Sequence, residues 1–143
     1  MKIYNYTIKR EFVRDVESDT VVCPEQAVIA AKEAIDFDRE QEQVVVLAIN
    51  NANNVMGSFV ATIGSIDASI VHPRDIFKFA ILSNATGIIV VHNHPSGILS
   101  PSKADVSIMI RLVECGQLMG IPILDSLIVT EDSYLSMKEK GYI

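Results

Sequence analysis

Cysteine is scarce in this 143-residue chain: there are two, Cys23 and Cys115, too far apart for any paired metal or redox spacing. That argues against a disulfide scaffold or a cysteine-rich metal module, and both are read as small buried apolar residues. Positive charge is scarce too, with 12 Lys and Arg against 18 Asp and Glu, a net charge of −6 and a pI near 4.9. A protein that grips phosphate backbones presents a basic face, and none stands out, so nucleic acid is a poor first partner. No apolar run approaches the ~20 residues that a bilayer requires. Met1–Arg10 lacks the apolar centre of a secretory signal. The expectation is a cytoplasmic protein with no membrane partner. Repeats, low-complexity tracts and linkers are also missing, so residues 1–143 read as one domain able to bury a single core.

What is present is a regular alternation of helical and strand patterns. Tyr4, Tyr6 and Ile8 alternate with Asn5, Thr7 and Lys9, as in a half-exposed edge strand that could pair with a second chain in a homo-oligomer. Helical spacing of Ala27, Ala30, Ala31, Ala34 and Ile35 predicts a helix over Gln26–Phe37, with Pro24 suited to its first turn. Gln43–Ile49 is a strand covered on both faces, and the asparagine-rich turn Asn50–Asn54 returns the chain antiparallel through Val55–Ile63. A helix over Pro73–Leu82 and a short apolar strand over Gly87–Val91 follow. Ser102–Met119 reads as a helix closed by Gly120, then come strands over Ile121–Thr130 and Tyr134–Met137. The fold class is mixed α/β around a central sheet.

Of only three histidines, two stand together in His92-Asn93-His94-Pro95-Ser96-Gly97, at the end of the Gly87–Val91 strand. Alternate strand residues share a face, so His92 and His94 project together, about 7 Å apart at Cα. Asp105, in the first turn of the next helix, can join them. Two nitrogens and one carboxylate suit a zinc ion, one per chain, and leave a fourth tetrahedral position open, as in a catalytic site. Zinc there would lower the pKa of water toward ~7. Two plainer readings compete. Ser102-Lys103-Ala104-Asp105 resembles a helix capping box with Asp at the usual Glu position, and a lone His-x-His is a weak signal. The combination at one strand-to-helix junction favours the metal.

A proton acceptor is still needed, and Glu25, Glu40 and Glu42 are available. Glu42, at the edge of a buried strand, is better placed than a glutamate on an exposed helix. A solvated charge between two glutamines is a comparable reading of the same residue. His72, before Pro73-Arg74, fits a helix-capping or core hydrogen-bonding role, and Arg74 fits a solvated first-turn charge.

His92-Asn93-His94-Pro95 with Ser102 and Asp105 resembles the His-x-His-Pro…Ser-x-x-Asp signature of the JAB/MPN (JAMM) metalloproteases, and more closely its RadC-like subgroup. The likeness runs from about Cys23 to Gly141, through Gly64–Arg74, His92–Gly97 and Gly120–Asp125. It implies zinc held by His92, His94 and Asp105, with Ser102 steadying the oxyanion. Counting back from Ile49-Asn50, it places Glu42 on the catalytic glutamate. The implied fold is the cytidine-deaminase-like JAB/MPN fold, and the implied substrate is a protein, a peptide, an isopeptide or a related amide. The zinc deaminases themselves match poorly, since His-x-Glu and Pro-Cys-x-x-Cys are missing.

Three positions depart from the subgroup's pattern: Ser126 where histidine is usual, Met109 where threonine is common, and Ile98 where a polar residue is common. They are expected to reshape the rim of the site. RadC-like proteins also carry a DNA-associated helix-hairpin-helix domain, and a stand-alone domain without it is expected here. That association supplies the alternative function, a binding module of DNA-repair, recombination or mobile-element context whose metal site is not catalytic.

Overall fold

The computed structural model describes residue 3 and residues 20–34, 41–63 and 71–143. The expected edge strand at Tyr4–Ile8 lies outside them, as do Glu40 and the last residues of the first expected helix. The elements run α1 (Pro24–Ala34), β1 (Gln43–Ile49), β2 (Val55–Ile63), α2 (Pro73–Leu82), β3 (Gly87–Asn93), α3 (Lys103–Met119), β4 (Ile123–Val129) and β5 (Tyr134–Ser136). The strands form one mixed sheet in the order β2-β1-β3-β4-β5. Among the described residues, only β3 and β4 pair in parallel. Parallel neighbours need a crossover, and α3 supplies it.

Strand alternation sorts the core into two layers. Val44, Val46, Ala48, Ile88, Val90 and Ile128 face α2 and α3, packing on Ile76, Phe77, Ala80, Ile108 and Leu112. Val45, Leu47, Ile49, Ile89, Val91, Leu127 and Val129 face α1 and its Ala27, Val28, Ala30 and Ala31. This is why β1 and β3 are continuous branched runs buried throughout, while the edge strand β2 is mostly half-buried. Asn50 shapes the β1–β2 turn: its Oδ1 accepts from the backbone N–H groups of Ala52 and Asn54, and Asn53 takes φ 61°.

Helix boundaries follow local chemistry. His72 is the N-cap of α2, its Nδ1 accepting from the Arg74 N–H at 3.1 Å, as the capping reading required. Arg74 is exposed beside Asp75, 3.6 Å away. Ser102 is the N-cap of α3, and Gly120 ends that helix at φ 69°. Cys23 and Cys115 are free and half-buried, so they are less enclosed than the sequence suggested. Among the described residues, no helix is long and apolar enough to cross a membrane.

Gly116 sets how closely α3 approaches the start of β4. A Cβ there would lie 2.6 Å from the Ile121 carbonyl oxygen, which is backbone and cannot swing aside. Helix propensity alone would reward alanine by ~1 kcal/mol, while overpacking costs ~1–3 kcal/mol. The clash should win, because the Ile121 N–H is also tied to the Gly116 carbonyl at 2.9 Å. Gly116→Ala is expected to lower the midpoint of urea unfolding with the slope of the transition unchanged.

Candidate metal centre

The centre sits at the carboxyl end of β3, where the parallel pair β3–β4 ends and α3 begins. His92 lies within β3 on the layer facing α3, and the strand extends two residues beyond the expected Val91. His94 follows it directly. Its backbone N–H donates to the Val129 carbonyl at 2.8 Å, so pairing with β4 continues past the strand end and fixes where the side chain emerges. The Gly97 N–H then closes a turn on the His94 carbonyl, with Gly97 at φ 77°.

Three side chains, Glu42, His92 and His94, bring one ligand atom each to within 4.8 Å of one another, a group that could hold a metal ion. Asp105 lies against both imidazoles: Oδ1 is 3.9 Å from His92 Nδ1, and Oδ2 is 3.6 Å from His94 Nε2. All four residues thus share one site, reached from β1, β3 and α3. Glu25, by contrast, is exposed on α1 and accepts a hydrogen bond from the Tyr134 hydroxyl.

The start of α3 holds Asp105 in place. The Ser102 side chain accepts from the Asp105 N–H at 3.1 Å, and Asp105 Oδ2 accepts from the Ser102 N–H at 2.7 Å. The capping box read from the sequence is real, and it is compatible with a ligand role because the same carboxylate faces the histidines. Ser102 is exposed, and its oxygen serves as a cap acceptor while its own O–H can still donate.

His94 Nδ1 lies 2.5 Å from the Ile98 carbonyl oxygen. With the proton on Nδ1, that bond orients the ring and leaves Nε2 toward Asp105, the kind of support that metal-binding histidines receive. The departure at Ile98 is therefore harmless to the centre, because position 98 contributes its backbone. Of the other departures, Ser126 lies buried in β4 opposite Val90, and Met109 is core. Neither shapes the rim, contrary to expectation.

Burial pushes the His92 pKa down to about 4, with neighbouring His94 adding to the effect and Asp105 and Glu42 opposing it. A neutral imidazole is what a metal requires. Its Nε2 is buried and has no hydrogen-bond partner, an arrangement that suits a nitrogen kept for a ligand. His94 is shifted upward, chiefly by its hydrogen bond to Asp105, against the opposing effect of burial. For Asp105, burial pushes upward most strongly. Its bonds to His94 and Ser102 and the nearby His92 outweigh this and bring the carboxyl down to about 2. Two neutralisable nitrogens beside a firmly ionised carboxylate form a donor set that fits zinc.

A cavity of about 620 Å³ opens beside His94, lined by Lys32, Asn93, Pro95–Gly97, Leu99 and Val129–Ser133. Lys32 Nζ reaches the carbonyl oxygens of Thr130 and Glu131, each at 3.4 Å, and so links α1 to its far wall. This wall could not be read along the chain, because its parts come from three distant segments.

In metal-free protein, His94 should titrate above its ordinary 6.5 and fall back toward that value in Asp105→Asn. Its folded pKa exceeds the unfolded one, so its stabilising contribution is complete below pH 6.5 and fades as pH rises through the folded value. His92 behaves oppositely, contributing stability that grows between about pH 4 and 6.5. Imidazole resonances followed by NMR in wild type and Asp105→Asn would check both signs.

A family model described as "RadC-like JAB domain" matches residues 21–142. A UPF0758 protein of Geobacillus thermodenitrificans is 45% identical over 121 residues, 85% of this chain and 53% of that protein. One from Methanosarcina acetivorans is 39% identical over 122 residues, with the same coverage of 85% and 53%. One from Clostridium botulinum strain Hall is 50% identical over 104 residues, 73% of this chain and 46% of that protein. The chain spans about half the length of these curated relatives. Its described residues form a five-stranded mixed sheet flanked by three helices that fits the JAB/MPN fold, and the chain belongs to the RadC-like JAB domain family.

Proposed function

We propose that this domain is a zinc-dependent hydrolase of amide bonds, acting on a peptide, an isopeptide or a related substrate. The observation that carries the reading is the meeting of Glu42, His92 and His94 within 4.8 Å, with Asp105 against both imidazoles and His92 Nε2 buried without a partner. His92, His94 and Asp105 would hold the ion. Asp105 suits this role because its position is fixed by the helix start and its charge is secure. When bound, zinc supplies Lewis acidity, which acidifies water and polarises a carbonyl oxygen.

The remaining work falls to the chain's own groups. Glu42 accepts a proton from the attacking water as its oxygen bonds to the acyl carbon. It then delivers that proton to the leaving nitrogen as the C–N bond breaks. Ser102, with its O–H still able to donate, steadies the negative charge that develops on the carbonyl oxygen. Of the centre's residues only His94 lines the neighbouring cavity, so a substrate held there would meet the centre past that imidazole.

Glu42→Gln removes the proton acceptor and keeps the shape. It should retain zinc as wild type does while hydrolysis of a peptide or isopeptide library falls about 10²- to 10⁴-fold. Zinc content by elemental analysis, paired with product formation, provides the check. Loss of zinc from Glu42→Gln would make Glu42 a ligand instead, and a zinc-loaded wild type that cleaves nothing would overturn the hydrolase reading.

A further inference from the structure

We propose that Asn93, the residue between the two histidines, is a positioning residue for Glu42; its consequence for catalysis rests on the hydrolase reading above. The β1–β3 ladder ends at the pair Val44–His92. One step further, Asn93 spans the gap with its side chain. Its Oδ1 accepts from the Gln43 N–H at 2.5 Å, and its Nδ2 donates to the Gln41 carbonyl at 2.9 Å. The carboxamide thus takes the place of a peptide group in the ladder. Its two bonds fall on either side of Glu42.

The placement follows from strand alternation. His92 projects to the α3 layer, so Asn93 projects to the other face, and its backbone remains in register with Val129 of β4. The side chain can then reach β1 without entering the space between the imidazoles. Asn93 is 6% exposed, and a buried amide is tolerable only when its polar ends are bonded. Few side chains can do this. Leucine would fill the space and leave the Gln43 N–H and the Gln41 carbonyl without these partners. Serine is too short to span both groups, and ionised aspartate cannot donate.

With the peptide groups before and after it anchored to β3, the backbone of Glu42 is referenced to the strand that carries His92 and His94. One residue lying between the two histidines in sequence thereby extends to Glu42 the registration that the Val44–His92 pair gives β1. A carboxylate on an unanchored strand end would lose this reference, and a shift of about 1 Å can cost about 10²-fold in rate.

The test uses the full chain. In Asn93→Ala, exchange of the Gln43 amide hydrogen should quicken roughly five- to tenfold, the equivalent of one net hydrogen bond. Zinc content should stay at the wild-type level. In hydrolysis, kcat should fall about 10²-fold with KM little changed. The double variant Glu42→Gln Asn93→Ala should be no slower than Glu42→Gln alone, since a residue acting through Glu42 then has nothing to position.

Unchanged exchange at Gln43, loss of zinc, or additive losses in the double variant would each overturn the proposal. If Asn93→Ala fails to fold, Asn93→Asp, which keeps the acceptor for Gln43 and loses the donor to Gln41, is read by kcat and by its double variant with Glu42→Gln in place of Gln43 exchange. If the wild type hydrolyses nothing, only the hydrolase reading falls. Gln43 exchange and displacement of the Glu42 carboxyl ¹³C resonance in the variant then decide the positioning role.

Discussion

Of the two imidazoles buried at the end of β3, His92 is held neutral and His94 is favoured in its charged form, and Asp105 provides the counter-charge. Stranding one member of a buried ion pair costs on the order of 3–5 kcal/mol, so the carboxylate must be present and correctly placed whenever His94 is charged. Its position depends on the first turn of α3, which depends in turn on the crossover that joins β3 to its parallel neighbour β4. The helix N-terminus also favours a negative side chain in its first turn. The fold thus brings helix start, strand end and counter-charge to one point, the carboxyl end of the parallel pair, where open α/β sheets commonly place their sites.

The sequence disclosed most of this, for identifiable reasons. β1 and β2 match the expected Gln43–Ile49 and Val55–Ile63, because a buried branched run and an asparagine turn are local signals. The same holds for α2 at Pro73–Leu82, where proline and the capping histidine mark the start. β3 was harder to bound. Apolar character stops at Val91, while pairing with β4 runs on through His92 and Asn93, so the strand outlasts its hydrophobic signature where the polar groups of the site begin. Its place at the edge of a buried strand favours Glu42 over Glu25, but a solvated charge between two glutamines is a comparable reading of the same residue. Resemblance selected it, and the structure sets it beside both histidines while Glu25 bonds to Tyr134. Asn93 gave no signal, because its partners Gln41 and Gln43 lie fifty residues away and are backbone groups.

Positions that depart from the family pattern show how tolerance is distributed. Ser126 occupies a buried place in β4 whose surroundings are already supplied with hydrogen bonds by Asp125. That carboxylate accepts from the Ser126 N–H at 2.7 Å, the Ser136 hydroxyl at 2.7 Å and the Lys138 N–H at 3.3 Å. It fastens β5 and the following turn to β4. Asp125 therefore reads as an architectural residue, and its neighbour can change while the carboxylate remains satisfied.

Backbone and side chain divide the labour at the centre itself. His94 is fixed by two carbonyl oxygens, that of Val129 through its N–H and that of Ile98 through its ring. The carboxamide of Asn93 likewise bonds main-chain groups, those of Gln41 and Gln43, whose own side chains take no part in the grip. Supports of this kind are indifferent to which side chain hangs from them, provided the chain path is kept. The side chains of the rim, exposed Ile98 and the Glu131–Ser133 turn among them, can vary without disturbing the histidines, Glu42 or Asp105. One fixed chemical centre can then face differently shaped cavities, so the rim rather than the centre is where selectivity among amide substrates would be set.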